Sequence, residues 1–174
     1  MASGDTLFIL TPMSGTPPAT LYATLDTIAG TVDAPLPSYP VLDFDGAQDE
    51  HMDWHLTIPS HYVGTTGFTF SYKYAMDGTD GNIVEMEFRC RKLVDASTDL
   101  GGDLDIDGAT ATSIQDDPSA TQDQFNQSAT DTMAKANAGT PVAGDRIVIR
   151  ATRDESAVTN IDDLQLLEIL VTET

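Results

Sequence analysis

Three residue patterns in this chain have types and spacings that could do chemistry. The first is Asp103-Leu-Asp105-Ile-Asp107-Gly108, where alternate carboxylates followed by glycine match the first half of an EF-hand loop and would wrap a hard cation such as calcium. The second half is missing, because the twelfth position, which needs a bidentate Glu, is Ile114. Asp103, Asp105 and Asp107 therefore stand as a half-matched calcium candidate, beside the plainer reading of an exposed strand with outward carboxylates. The second pattern is His51, Asp53 and His55 on one strand face, but strand rise separates the two imidazoles by about 13 Å, too far to share a metal. His61 follows Pro59 in a turn. The third is the set Asp145, Arg146, Arg150, Arg153, Asp154, Asp162 and Asp163. With five arginines among only eight basic residues, these predict ion pairs at strand ends rather than a ligand clamp. There is no Gly-x-Ser-x-Gly elbow, no spaced Cys–His pair and no phosphate-cradling glycine loop. The patterns thus predict no enzyme, no catalytic residue, no cofactor and no established metal site.

The elements that would carry these residues are strands. Residues 67 to 93 have the clearest period, with Phe68, Phe70, Tyr72, Tyr74 and Met76 alternating with Thr69, Ser71, Lys73 and Ala75, then Val84, Met86, Phe88 and Cys90 alternating with Glu85, Glu87, Arg89 and Arg91. The glycines and Asx residues of Asp77 to Asn82 suit a reversal, so the segment reads as a β-hairpin whose apolar face requires a second sheet. Trp54 falls inward with Met52, Leu56 and Ile58, and Cys90 reads as a small buried hydrophobe. Strands are also predicted at residues 6–11, 41–44, 146–153 and 164–171. In the last run the apolar phase slips between Leu166 and Leu167, as a bulge or a doubly covered strand requires. After Thr16-Pro17-Pro18, Leu21, Leu25 and Ile28 have helical spacing, but Leu21, Ala23 and Leu25 alternate among threonines, and the segment reads as strand rather than helix. Pro35, Pro37 and Pro40 mark a loop, separating residues 1–38, an extended N-terminal arm or edge strands, from a body over 39–174. Residues 109–140 carry too little pattern to distinguish a helix lined by Phe125, Ala129, Met133 and Ala136 from strand and loop. Short strands without βα alternation predict an all-β antiparallel sandwich of jelly-roll type.

Composition bounds the partners. A chain of 174 residues is long enough to bury a core, and its one cysteine excludes an internal disulfide. The start lacks the basic residues and long apolar run of a secretory leader. Twenty-eight acidic residues give a formal charge of −20, which repels nucleic acid and anionic membranes alike. Asp outnumbers Glu 22 to 6, favouring turns over helices.

The run Pro40-Val-Leu-Asp-Phe-Asp-Gly-Ala-Gln-Asp-Glu50, the Ile58-Pro-Ser-His-Tyr62 corner, and Gly144-Asp-Arg-Ile-Val-Ile-Arg-Ala-Thr-Arg-Asp154 with Asp162-Asp163-Leu164 resemble small virion proteins of tailed bacteriophages. The resemblance covers roughly residues 40 to 172. It implies a structural protein on the outer surface of the virion, a capsid cement or decoration protein, with the major capsid protein as partner and a homotrimer as its assembly. Two alternatives stand beside it. One is a carbohydrate-binding or tail- or fibre-associated sandwich module, which would need exposed aromatics in a groove; the inward parity of Trp54 counts against it. The other is a hydrolase on the same fold, which would need acids clustered in a concave face.

Overall fold

The computed structural model describes residues 4–32, 35–95, 97–98, 100, 104–156 and 158–174. Two antiparallel sheets face each other. The larger joins β2 (Thr24–Ala29), β3 (Ser38–Phe44), β11 (Leu164–Glu173), β5 (Gly67–Met76) and β8 (Asn126–Gln127) in that order, with β1 (Thr6–Leu10) also on β11 and β9 (Asp131–Ala134) also on β5. The smaller has the order β4 (Glu50–Thr57), β10 (Arg146–Arg153), β6 (Val84–Lys92), β7 (Thr112–Asp116). This is the all-β jelly-roll sandwich that strand spacing predicts. From residues 1–38, β1 runs along β11 with Leu10 opposite Ile169, and β2 forms the outer edge beside β3. No described helix is long and apolar enough to cross a membrane.

The hairpin expected at residues 67–93 is not one. Its arms belong to different sheets: β5 pairs with β11, β8 and β9, whereas β6 pairs with β10 and β7. The connection is an arch across the sandwich, and the apolar faces of the two arms cover each other. Phe70 and Phe88 stack with ring centroids 4.9 Å apart and planes 8° from parallel, and Tyr72 leans on both Tyr74 and Phe88. Period-two alternation fixes which side chains point inward, but a hairpin and an arch share that alternation. Here the arch is held from outside by residues 160–163. Asn160 Nδ2 donates to the carbonyls of Asp80 and Asn82, and the Asp80 amide donates to Asp162 Oδ2 at 2.6 Å.

Phe68, Phe70, Tyr72, Tyr74, Met76, Val84, Met86, Phe88, Cys90 and Trp54 are all buried. Trp54 Nε1 donates to the Thr11 carbonyl, which removes the cost of enclosing an indole N–H. Burying each large side chain stabilises the fold by roughly 1.5–3 kcal/mol. The phase slip in β11 is a register shift between Leu166 and Glu168. It has a consequence for the surface: Leu164 and Leu166 join the core, whereas Leu167 lines a groove on the outer face.

Candidate functional site

The groove forms where β3 leaves β11. Residues 42–44 of β3 pair with 164–166, but beyond the Leu167 bulge β11 takes β1 as its neighbour instead. The first half of β3 then pairs with β2, with Ile28 opposite Tyr39 and the Gly30 amide donating to the Pro37 carbonyl. The resulting depression, about 450 Å³, is lined by Ile28, Tyr39, Ala75, Asp123, Phe125 and Leu167 together with the turn at Ala29, Gly30 and Thr31. Its volume suits an oligomeric small ligand.

Two aromatic rings flank it. Tyr39 is 52% exposed on β3, and Phe125 is 59% exposed just before β8, across the floor that Leu167 and Ala75 provide. A loop tied at several points presents Phe125: the Asp123 amide donates to the Met76 carbonyl, Ser119 Oγ donates to Gln124 Oε1, and Asn126 Nδ2 donates to the Gln124 carbonyl. Asp123 itself has a left-handed backbone, φ 58°, a conformation Asp tolerates better than most residues. The arrangement can hold a flat ligand that has one apolar face and a hydroxylated edge. Two other depressions are less suited to this. Among the described residues, the one along Lys92–Thr98, about 560 Å³, has no aromatic ring in its wall, and the one beside Pro12 and Met52, about 360 Å³, has only Tyr22.

Beside the floor lies a row of polar side chains. Antiparallel register sets Asp43 opposite Gln165, and Gln165 opposite Ala75, all on the outer face. Asp43 Oδ1 and Gln165 Oε1 are buried and have no hydrogen-bond partner among the described residues. Burial, reinforced by the carboxylates of Asp163, Asp77, Asp26 and Glu50, pushes the Asp43 carboxyl up to about 6.

The residues singled out in the sequence lie elsewhere. Asp103 falls outside the described residues. Asp105 Oδ1 accepts the Gly108 amide, Asp107 pairs with Arg150 Nη1 at 2.7 Å, and Ile114 is buried on β7, so these residues are engaged in a turn and an ion pair. Arg150 also grips Asp53 through Nε and Nη2 at 2.7 and 2.8 Å. Arg153 does not pair at a strand end. It is fully buried, with Nη1 donating to the carbonyls of Phe44 and Asp162 and Nη2 to that of Asn160. Asp145 pairs with Lys92, Asp163 accepts the Gly46 amide, Asp154 accepts from Ser156, and Arg146 is exposed. His51 Nδ1 meets Thr152 Oγ1, while His55 and His61 are exposed. Among the described residues, Glu85, Glu87 and Asp154 bring carboxylate oxygens within 4.8 Å of one another, but Gln115, Arg89 and Ser156 already occupy oxygens of this set.

Sequence reasoning missed Tyr39 and Phe125. Tyr39 is a lone aromatic in a proline-rich stretch, and Phe125 shares a helical spacing with Ala129, Met133 and Ala136 that the strands β8 and β9 replace.

No protein-family model matches the chain, and no curated protein matches it in sequence. Solved structures do. The CBM35 module of Abf62 from Cellvibrio japonicus superposes with a TM-score of 0.52 at 13% identity, over 94% of this chain and 92% of that one. The CBM36-1 domain of a multidomain xylanase from the hindgut metagenome of Trinervitermes trinervoides gives 0.48 at 8% identity, over 96% and 97%. The carbohydrate-binding module CBM6cm-2 of Cellvibrio mixtus lichenase 5A, in complex with cellotriose, gives 0.47 at 12% identity, over 97% and 98%. At these identities the likeness is one of fold. The comparison overturns the head-decoration reading and, with it, the major capsid protein and the homotrimer as partners: the CBM35 module, whose fold this chain shares, is not a capsid protein.

Proposed function

We propose that this protein is a non-catalytic carbohydrate-binding module and that it holds a glycan in the groove between Tyr39 and Phe125. The observation that carries the reading is the pair of exposed rings on opposite sides of one apolar floor, with the Asp123 carboxylate at its margin. A pyranose presents apolar C–H faces that stack on such rings and equatorial hydroxyls that donate to carboxylate and carbonyl oxygens. The fold it shares with the CBM35 module supports the same reading. The aromatic requirement that Trp54 fails is met by residues outside the core pattern.

Titration calorimetry with xylo-, cello- and galacto-oligosaccharides, together with retention on the insoluble polysaccharides, tests it. Tyr39→Ala and Phe125→Ala should each weaken binding about three- to tenfold, the loss of one ring contact. A double variant that binds as the unaltered protein does would overturn the assignment of the groove.

A further inference from the structure

The groove is aliphatic at its floor where its walls are aromatic, and this bears on what the ligand must carry. Ala75 closes the bottom at 1% exposed, and the half-buried side chains of Leu167 and Ile28 form the surface that a ligand touches. Leu167 is placed there by the β11 bulge: Leu166 stands opposite Tyr74 and Glu168 opposite Lys73, so Leu167 is the extra residue with no partner on β5. A plain pyranose suits this floor poorly. Its C–H face is taken by an aromatic wall, and a hydroxyl turned onto Leu167 loses its water without gaining an acceptor. A methyl group in the same place gains contact instead.

The polar groups of the lining complete the pattern. Among the described residues they are the Asp123 carboxylate and the hydroxyls of Tyr39 and Thr31, and none of these side-chain groups is engaged in a hydrogen bond or ion pair by another described residue. They offer one charged acceptor and two hydroxyl donors. An acetamido substituent has the matching inventory of one N–H, one carbonyl and one methyl. A hydroxyl lacks the methyl. A free amine lacks both methyl and carbonyl, and its ammonium would lose water against the aliphatic floor.

We propose that the groove prefers glycans whose sugars carry an acetamido group, N-acetylglucosamine units for example, over the same backbone with a hydroxyl or a free amine at that carbon. The proposal rests on the carbohydrate-binding reading and adds the ligand's substituent to it. The methyl of the acetamide rests on Leu167 and Ile28, its N–H donates to the Asp123 carboxylate, and its carbonyl accepts from the Tyr39 or Thr31 hydroxyl, while the sugar ring stacks on an aromatic wall. One buried methyl is worth about fourfold in affinity, and a charge-assisted hydrogen bond at the solvated rim adds to it, so the preference over a hydroxyl is about tenfold.

The test is calorimetry at physiological salt with N-acetylglucosamine trimer, glucosamine trimer and cellotriose, which share a backbone and differ in one substituent, and with xylotriose alongside. The acetylated trimer should bind about tenfold more tightly than cellotriose, and the glucosamine trimer should not exceed cellotriose. Asp123→Ala and Leu167→Ser should each shrink the ratio between the acetylated trimer and cellotriose, whereas Phe125→Ala should weaken both. In saturation-transfer NMR, irradiation of the protein's methyl signals should reach the acetyl methyl of the bound trimer more strongly than its ring protons. Cellotriose, xylotriose or the glucosamine trimer binding as tightly as the acetylated trimer or more so, with Phe125→Ala still weakening it, overturns the acetamido preference and leaves the groove assignment standing. Binding of none of the four sugars overturns both. An acetamido preference that survives Asp123→Ala and Leu167→Ser unchanged places the substituent elsewhere and overturns the proposal.

Discussion

Replacing Arg153 with methionine probes the joint that holds this sandwich closed at one end. The guanidinium is fully buried and donates to the carbonyls of Phe44 on β3 and of Asn160 and Asp162 in the segment before β11. That segment in turn clasps the arch through Asn160 and Asp162. Burial lowers the arginine's affinity for its proton, and the carboxylates of Asp163, Asp45, Asp162 and Asp77 oppose that shift. Methionine replaces the aliphatic stem but ends short of the guanidinium nitrogens, and it removes the donor from three main-chain carbonyls, two of the three hydrogen bonds being buried. Each charged hydrogen bond is worth roughly 1.5–3 kcal/mol, and part of the loss is returned because a charge no longer has to be desolvated. The net expected loss is about 3–5 kcal/mol, a large share of the roughly 5–15 kcal/mol that holds a typical domain together. Urea unfolding followed by the fluorescence of Trp54, at pH 7.5 and again at pH 5, measures it. Because Arg153 offsets repulsion among the surrounding carboxylates, the loss should be smaller at pH 5, toward the range where Asp77, whose carboxyl is held above its ordinary value chiefly by burial, takes up its proton. A loss below about 1 kcal/mol, or one equal at both pH values, would refute the reasoning.

The Asp43 carboxyl gives a second pH-linked outcome. Its pKa is raised to about 6 in the fold, above the ordinary 3.8, so the folded state is disfavoured once the group ionises above pH 6 and is relieved as pH falls toward 4. Asp43→Asn should therefore stabilise the protein at pH 8, by about 1 kcal/mol after allowing for solvent screening, and the gain should vanish below pH 4. A gain that persists at pH 3.5 in thermal melts would point to packing rather than charge. Cys90 is fully buried, and burial pushes its thiol up to about 12. A thiol reagent at pH 8 should label it only as fast as the protein opens globally, and rapid labelling in native buffer would contradict the core placement.

The alternation at 68–76 and 84–90 determined, from sequence alone, which side chains enter the core, because a strand can dry one face only by placing apolar residues two apart. The phase slip at Leu167 narrowed the last strand to a bulge or a doubly covered strand, of which the structure shows the bulge, and the density of turns with the excess of Asp over Glu pointed to the all-β class. Alternation did not determine which strands pair. Pairing is a contest between hairpin and arch, and Asn160, Asp162 and Asp163, some eighty residues downstream, bind residues 77–82 from outside and so hold the arch in place. The same distance in sequence hid the groove. Tyr39 lies among prolines and Phe125 in a stretch whose spacing fits a helix as well as strand and loop, and they line one groove because β3 parts from β11 where β1 takes its place. The arginines show the same limit at the scale of one side chain. Composition made ion pairs the natural expectation for Arg153, but three main-chain carbonyls converge on it in the folded chain, and carbonyls leave no trace in a sequence.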